Sequence, residues 1–171
     1  MAVIRASLAV VGAAAAFAAC GASAGEQPSS CAGAQLAGTF RVVPGSAGAG
    51  NIVYALSLKN VSKKTCTVTG LPQGRLLGLH GGKLPTHIRA AFPNALAAVL
   101  VRLAPGKSAR ATARFSPDVP GVGDHTPGAC QPKAYTLRVS LAGGGTTNAK
   151  LSPATPVCER GQLQFSAYGP R

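Results

Sequence analysis

The sequence predicts an all-β domain: an antiparallel immunoglobulin-like β-sandwich of about seven or eight short strands, stapled by two disulfides. Three observations carry that expectation. Apolar and polar residues alternate with a period of two over most of the chain after Cys31. Clusters rich in Gly and Pro, such as "PGSAGAG", "GLPQG", "HGGKLP" and "AGGGTT", cut the alternating stretches apart. Four cysteines, Cys31, Cys66, Cys130 and Cys158, are spread through the same region.

The chain opens on an address. Arg5 is the only charge before Glu26, and Ala6 to Ala19 is an unbroken run of apolar and small residues. A bilayer-spanning helix needs about 20 apolar residues, so this run is too short to remain as an anchor. A positive start, a short apolar stretch and a small-residue exit describe a secretory signal over residues 1–24. Two processing sites compete. Ala22-Ser23-Ala24 is an A-x-A site that would release a chain starting at Gly25. Phe17-Ala18-Ala19-Cys20 is similar to a bacterial lipobox, which would make Cys20 the acylated first residue. Residues 20–30 are small and polar and suit a flexible tether. A tether is idle in a freely secreted protein, which favours lipidation of Cys20. Either route places the protein outside the cytoplasm, as a membrane-anchored lipoprotein or a secreted or periplasmic protein.

Residues 31–171 then form one domain with a single core. Leu36, Gly38, Phe40 and Val42 alternate with Ala37, Thr39, Arg41 and Val43. "NIVYALSLKN" puts Ile52, Tyr54, Leu56 and Leu58 on one face. "SARATARF" turns Ala109, Ala111, Ala113 and Phe115 inward and Arg110, Thr112 and Arg114 outward. "AYTLRVSL" does the same with Tyr135, Leu137, Val139 and Leu141, leaving Arg138 outside, and "QLQFSAY" closes with Leu163, Phe165 and Ala167. Shorter candidate strands are Thr67 to Thr69, Arg75 to Leu79 and Val99 to Leu103. "HIRAAFPNALAAVLV" has room for a helical turn, broken at Pro93. With no Trp, the core comes from aliphatic residues and the rings Phe40, Tyr54, Phe92, Phe115, Tyr135, Phe165 and Tyr168.

Four cysteines in an exported domain allow three connectivities. No C-x-x-C or paired His spacing supports a zinc site instead. Hairpin geometry selects among the three, because residues equally far from a turn lie side by side. Reflection through Ala47 or Gly48 carries Cys31 to within a few residues of Cys66, and reflection through Gly144 carries Cys130 onto Cys158. The sequence therefore predicts Cys31–Cys66 and Cys130–Cys158. Each closes a loop of about 30 residues and contributes roughly 3.5–4 kcal/mol in the chain-entropy picture.

These landmarks resemble a family of exported bacterial domains of unknown function, number 4232 (DUF4232). The resemblance rests on the early Cys31, "YALSLKN" from Tyr54, "TCTVTGLP" from Thr65, "LAPGKSA" from Leu103 and the closing Cys130, Cys158 and "LQFSAYGP". It spans about residues 31 to 170. It implies the sandwich and the exported location, and it offers no catalytic residues. Phe115 stands where the family often has Trp, and Gly81 to Leu96 matches none of its motifs.

The net charge is +13, with only four acidic residues. Such a domain is drawn to anionic envelope polymers, lipid headgroups or an acidic exported protein. Nucleic acid is disfavoured, because the cations are scattered and not interleaved with stacking aromatics. Arg110, Arg114 and Arg138, on outward positions of long strands, form the candidate basic binding face if those strands are neighbours. Asp124 and His125 are adjacent and could serve a small hydrolase, yet no G-x-S-x-G elbow accompanies them. His80, His87 and His125 lack paired metal spacing, and "AGGGTTNAK" lacks the G-K-[ST] of a phosphate loop. No catalytic residue, metal or cofactor is assigned. The leading expectation is a non-enzymatic, lipid-anchored envelope module for binding or structure. The alternative is a secreted inhibitor or accessory subunit that docks on another exported protein.

Overall fold

The structure, a computed structural model, describes residues 27–95, 99–117, 119–122, 124 and 130–170. The expected secretory signal 1–24, with Cys20, and also Gly25, Asp118 and His125 lie outside the described residues. The described chain is all-β, with eleven strands and three short 3₁₀ turns. In order the strands are β1 (Leu36–Val42), β2 (Ile52–Asn60), β3 (Cys66–Val68), β4 (Gln73–Leu77), β5 (His87–Ala90) and β6 (Val101–Leu103). There follow β7 (Ser108–Phe115), β8 (Gln131–Ser140), β9 (Thr146–Val157), β10 (Gln162–Phe165) and β11 (Gly169–Pro170).

The strands do not separate into two sheets. They run in one path, β4-β8-β9-β1-β2-β7-β10-β5, with β11 on β7 and a small β3-β6 ribbon apart. The joint is β1, which pairs antiparallel with β2 and parallel with β9. Gly38 faces Ala149 there, and a Cβ on Gly38 would come within 2.9 Å of the alanine methyl, so a side chain would push the two strands apart. The two ends of the path are brought together by the hairpin that follows β4. Leu84 N–H donates to the Leu76 carbonyl at 3.0 Å, and Leu76 N–H donates to Thr86 Oγ1 at 2.8 Å, just before β5 begins. The result is a nearly closed barrel. Sequence alternation shows which face of each strand is buried; it does not reveal a parallel partner more than 100 residues away, which is how a single continuous wall differs from the expected pair of sheets.

The interior is filled by large residues set against small ones. Tyr54, Leu56 and Leu58 of β2 stand beside Ala113, Ala111 and Ala109 of β7, all essentially inaccessible. The room left by the alanines takes rings: Phe40 lies 5.1 Å from Tyr54 and 5.8 Å from Phe165 between centroids, and Tyr54 lies 6.2 Å from Phe115. Phe92, expected in the core, is 69% exposed instead, because it sits beyond β5 next to the Pro93 turn. Tyr135 is half-buried. A 3₁₀ turn forms at Pro93–Ala95, within the segment expected to have room for a helical turn, while β5 and β9 are strands that the sequence reading did not predict. β5 is a four-residue strand parallel to β10, and β9 is a twelve-residue strand that continues through Pro153 and Pro156.

Both disulfides, Cys31–Cys66 and Cys130–Cys158, are present, each with Cα atoms 4.9 Å apart. Their routes differ from simple hairpin reflection. The β1–β2 ladder is centred on Gly48, but a 3₁₀ turn at Gly33–Gln35 removes Cys31 from that ladder. Residues 29–31 run parallel to β3 instead, with Cys31 N–H donating to the Thr67 carbonyl at 2.8 Å and Thr67 N–H to the Ser29 carbonyl at 3.0 Å. The β8–β9 ladder is centred on Gly143 beside its turn, and irregularities between Gln131 and Thr136 shift the register so that Gln131 faces Val157 next to the disulfide.

Asn60 ties this end of the barrel together. Its side chain is fully buried, donating to the carbonyls of Lys64 (2.8 Å) and Leu103 (2.9 Å) and accepting from Ser62 N–H (2.9 Å) and Ser62 Oγ–H (2.8 Å). Its backbone bonds to the Lys107 carbonyl and the Gly106 N–H in the β6–β7 turn. Asn60→Ala would keep the backbone bonds but remove all four side-chain ones, leaving the buried Leu103 carbonyl without its side-chain donor, and we expect a loss of about 2–3 kcal/mol, read as a lower urea midpoint with unchanged slope.

Candidate functional site

The strands carry ten cations and no acid. Arg41, Lys59, Arg75, Arg89, Arg102, Arg110, Arg114, Lys133, Arg138 and Lys150 all lie within strands, and all are exposed. The physical cause is the alternation itself: once Leu, Ala and the rings face inward, the intervening positions must face water. The two acids among the described residues, Asp124 and Glu159, fall outside every strand.

The three arginines of the expected basic face do not lie on neighbouring strands. Arg110 and Arg114 belong to β7 and Arg138 to β8, with β9, β1 and β2 between them. The barrel wall divides them into two basic surfaces. On the first, Arg41 faces Ala55 and Arg110 faces Ser57, so the two arginines flank β2 diagonally. Strand spacings put their Cα atoms about 12 Å apart. Between them lies a surface groove of about 370 Å³ whose floor includes Thr39, Ala55 and Ser57. Arg114 continues this surface, with Gln164 separating it from Arg89 of β5.

On the second surface, Arg75 of β4 and Arg138 of β8 stand directly opposite each other. Like charges so placed repel. Arg138 Nε donates to Asn148 Oδ1 at 3.3 Å, which directs part of its guanidinium toward β9. Lys83 shares a groove of about 340 Å³ with both arginines and with Gln73 and Ser140. An anion seated among three cations would relieve the repulsion between the opposed pair. Sequence reading singled out Arg138 but missed Arg75 and Arg41. Arg41 already occupied an outward alternating position, whereas Arg75 needed the β4–β8 register.

Asp124 has a structural use. Its carboxylate accepts N–H bonds from Gly121 (2.9 Å), Glu159 (2.7 Å) and Arg160 (3.4 Å). These bonds clamp one loop to the tight turn Glu159–Gly161, where Glu159 and Arg160 both take left-handed backbone angles, φ 47° and 53°. Gly161 completes the reversal at φ 71°, and a Cβ there would collide with the Pro85 carbonyl. Asp124 also lies near the sulfurs of Cys130 and Cys158, but sulfurs joined to each other offer no thiolate to a metal. Among the described residues, His80 and His87 enter no cluster of potential metal ligands. No described helix is long and apolar enough to cross a membrane.

A family described as a domain of unknown function, DUF4232, matches residues 31–169. The chain belongs to that family. The DUF4232 domain thus reaches from the first disulfide cysteine into β11 and contains both basic surfaces. No curated protein and no solved structure matches the chain.

The Gly121 N–H first, with the Glu159 and Arg160 amides, holds the Asp124 carboxyl below its ordinary value of 3.8. Stability from a lowered carboxyl is complete above the unfolded value and is lost as pH falls through the folded one. Thermal melts should therefore fall more steeply below about pH 4 for the native chain than for Asp124→Asn. The variant should also melt lower at neutral pH.

Proposed function

We propose that this DUF4232 domain is an exported, lipid-anchored cell-envelope module that binds polyanions and performs no catalysis. The observation that carries the reading is the barrel wall itself, with nine exposed cations on its strands and no acid on any of them. No acid lines either of the two arginine grooves, so an anionic chain approaching them meets one sign of charge. The preferred ligand is a linear envelope polymer carrying phosphodiester or carboxylate groups. It would engage the Arg75–Lys83–Arg138 groove and the Arg41–Arg110 groove.

Export is supported by the short apolar leader, and two disulfides suit an oxidising compartment. Anchoring rests on the lipobox-like Phe17-Ala18-Ala19-Cys20. The immunoglobulin-like reading of the fold draws support from strand order. β4-β8-β9 corresponds to one sheet of such a sandwich and β1-β2-β7 to the other, with β10 inserted before β5. On this view β1 is an edge strand that pairs with both sheets and so joins them.

A second reading, an accessory subunit docked on another exported protein, is favoured by a groove of about 470 Å³ beside the β4–β5 hairpin. Leu79, 64% exposed, lines it with Leu84, Pro132 and Tyr135. Charge reversal separates the two. With Arg41, Arg75, Arg110 and Arg138 all changed to Glu, retention on purified anionic envelope polymer should fall about tenfold or more, while unchanged retention would favour protein docking. Intact mass of the protein from its native host tests the anchor. A diacylglyceryl mass on Cys20 is expected, and a chain starting at Gly25 would refute it.

A further inference from the structure

We propose that the end of the barrel organised by Asn60 rests on an anionic phospholipid surface. The inference depends on the anchored, extracytoplasmic reading given above. Five cations crowd this end, each in or next to a segment that Asn60 binds. Lys59 precedes Asn60, Lys64 and Lys107 lend it their carbonyls, and Lys63 and Arg102 adjoin Lys64 and Leu103. All five are exposed, and no acid lies in residues 59–64 or 102–107. Two loops that are distant in sequence are thereby held as one rigid basic platform. Val61, 58% exposed, projects from the same loop as an apolar contact.

The direction of the chain makes this platform face the anchor. Residues 29–31 run parallel to β3, with Ser30 beside Thr67. Parallel strands share a direction, so the chain before Ser30 comes from the side on which Thr65, Lys64 and Lys63 precede β3. Thr67 Oγ1 donates to the Ser29 carbonyl at 3.3 Å and the Pro28 carbonyl at 3.4 Å, which fixes that approach. From Cys20 to Gln27 is seven residues, and covalent geometry limits seven residues to about 25 Å. An acylated Cys20 would therefore hold the lysine platform, rather than the arginine wall, next to the headgroups. Within a Debye length of an anionic leaflet, each such cation strengthens binding about fivefold, equivalent to about 1 kcal/mol.

The test uses the oxidised chain from Gly25, because both disulfides and the whole buried core lie between Cys31 and Tyr168. Co-sedimentation is compared on phosphatidylcholine vesicles with and without phosphatidylglycerol. Binding should require phosphatidylglycerol and weaken with salt. Changing Lys63, Lys64 and Lys107 together to Ala should lower the partition about 100-fold, and changing them to Arg should preserve it. Removing the same number of charges from the wall, with Arg75, Arg110 and Arg114 changed to Ala, should cost less than about fivefold. Equal losses from the two triple variants, or binding indifferent to phosphatidylglycerol, would overturn the proposal. The fate of Cys20 does not enter this measurement, so a missing acyl group and a failed platform give separate results.

Discussion

β1 hydrogen-bonds along both edges, and the rest of the architecture follows from that. Its antiparallel ladder to β2 uses every residue from Leu36 to Val42, and its parallel ladder to β9 uses Gly38 to Arg41. Without the second ladder, β4, β8 and β9 would form a separate three-stranded layer with an open edge, a state prone to pairing with other chains. With it, the wall curves round until its two end strands, β4 and β5, are linked by the turn that follows β4. Phe40, at the centre of β1, is then surrounded by Tyr54 and Phe165 and is completely buried. One strand thus sets both the curvature of the wall and the centre of the core.

Closure also determines where charge can go. The interior accepts no charged side chain among the described residues, and the described Lys and Arg residues lie on the strands' outer faces or in the connections. The carboxylates among the described residues, Asp124 and Glu159, lie in connections, and Asp124 is committed to backbone amides. The outer surface is therefore basic by construction. What distinguishes its regions is geometry: opposed arginines across β4 and β8, diagonal arginines across β2, and lysines gathered by a buried asparagine at one end.

Much of the fold was legible in the sequence because burial on one side imposes a period of two. β1, β2, β7, β8 and β10 all announced themselves through apolar residues at alternate positions. β9 did not, since Thr147, Ala149 and Leu151 make a weak stripe and two prolines follow. β5 was obscured for a different reason: its four residues owe their strand conformation to a parallel partner, β10, more than 70 positions later. The basic site was half legible. That Arg110, Arg114 and Arg138 point outward follows from local alternation. That Arg138 belongs with Arg75, and Arg110 with Arg41, depends on which strands adjoin, and local pattern carries no such information. Asn60 was invisible in the same way, because its carbonyl partners at Lys64 and Leu103 meet only after the loops close.

The parallel stitch between residues 29–31 and β3 has a mechanical consequence. Tension applied upstream of Cys31 does not peel β1 from its neighbours one bond at a time. It passes first through the Ser29 and Cys31 bonds to Thr67 and then into the covalent bridge to Cys66, which feeds the load into the β3–β6 ribbon. β1 begins only after the 3₁₀ turn that follows. A pull from the N-terminal side would thus be taken on sulfur, leaving the barrel seam slack.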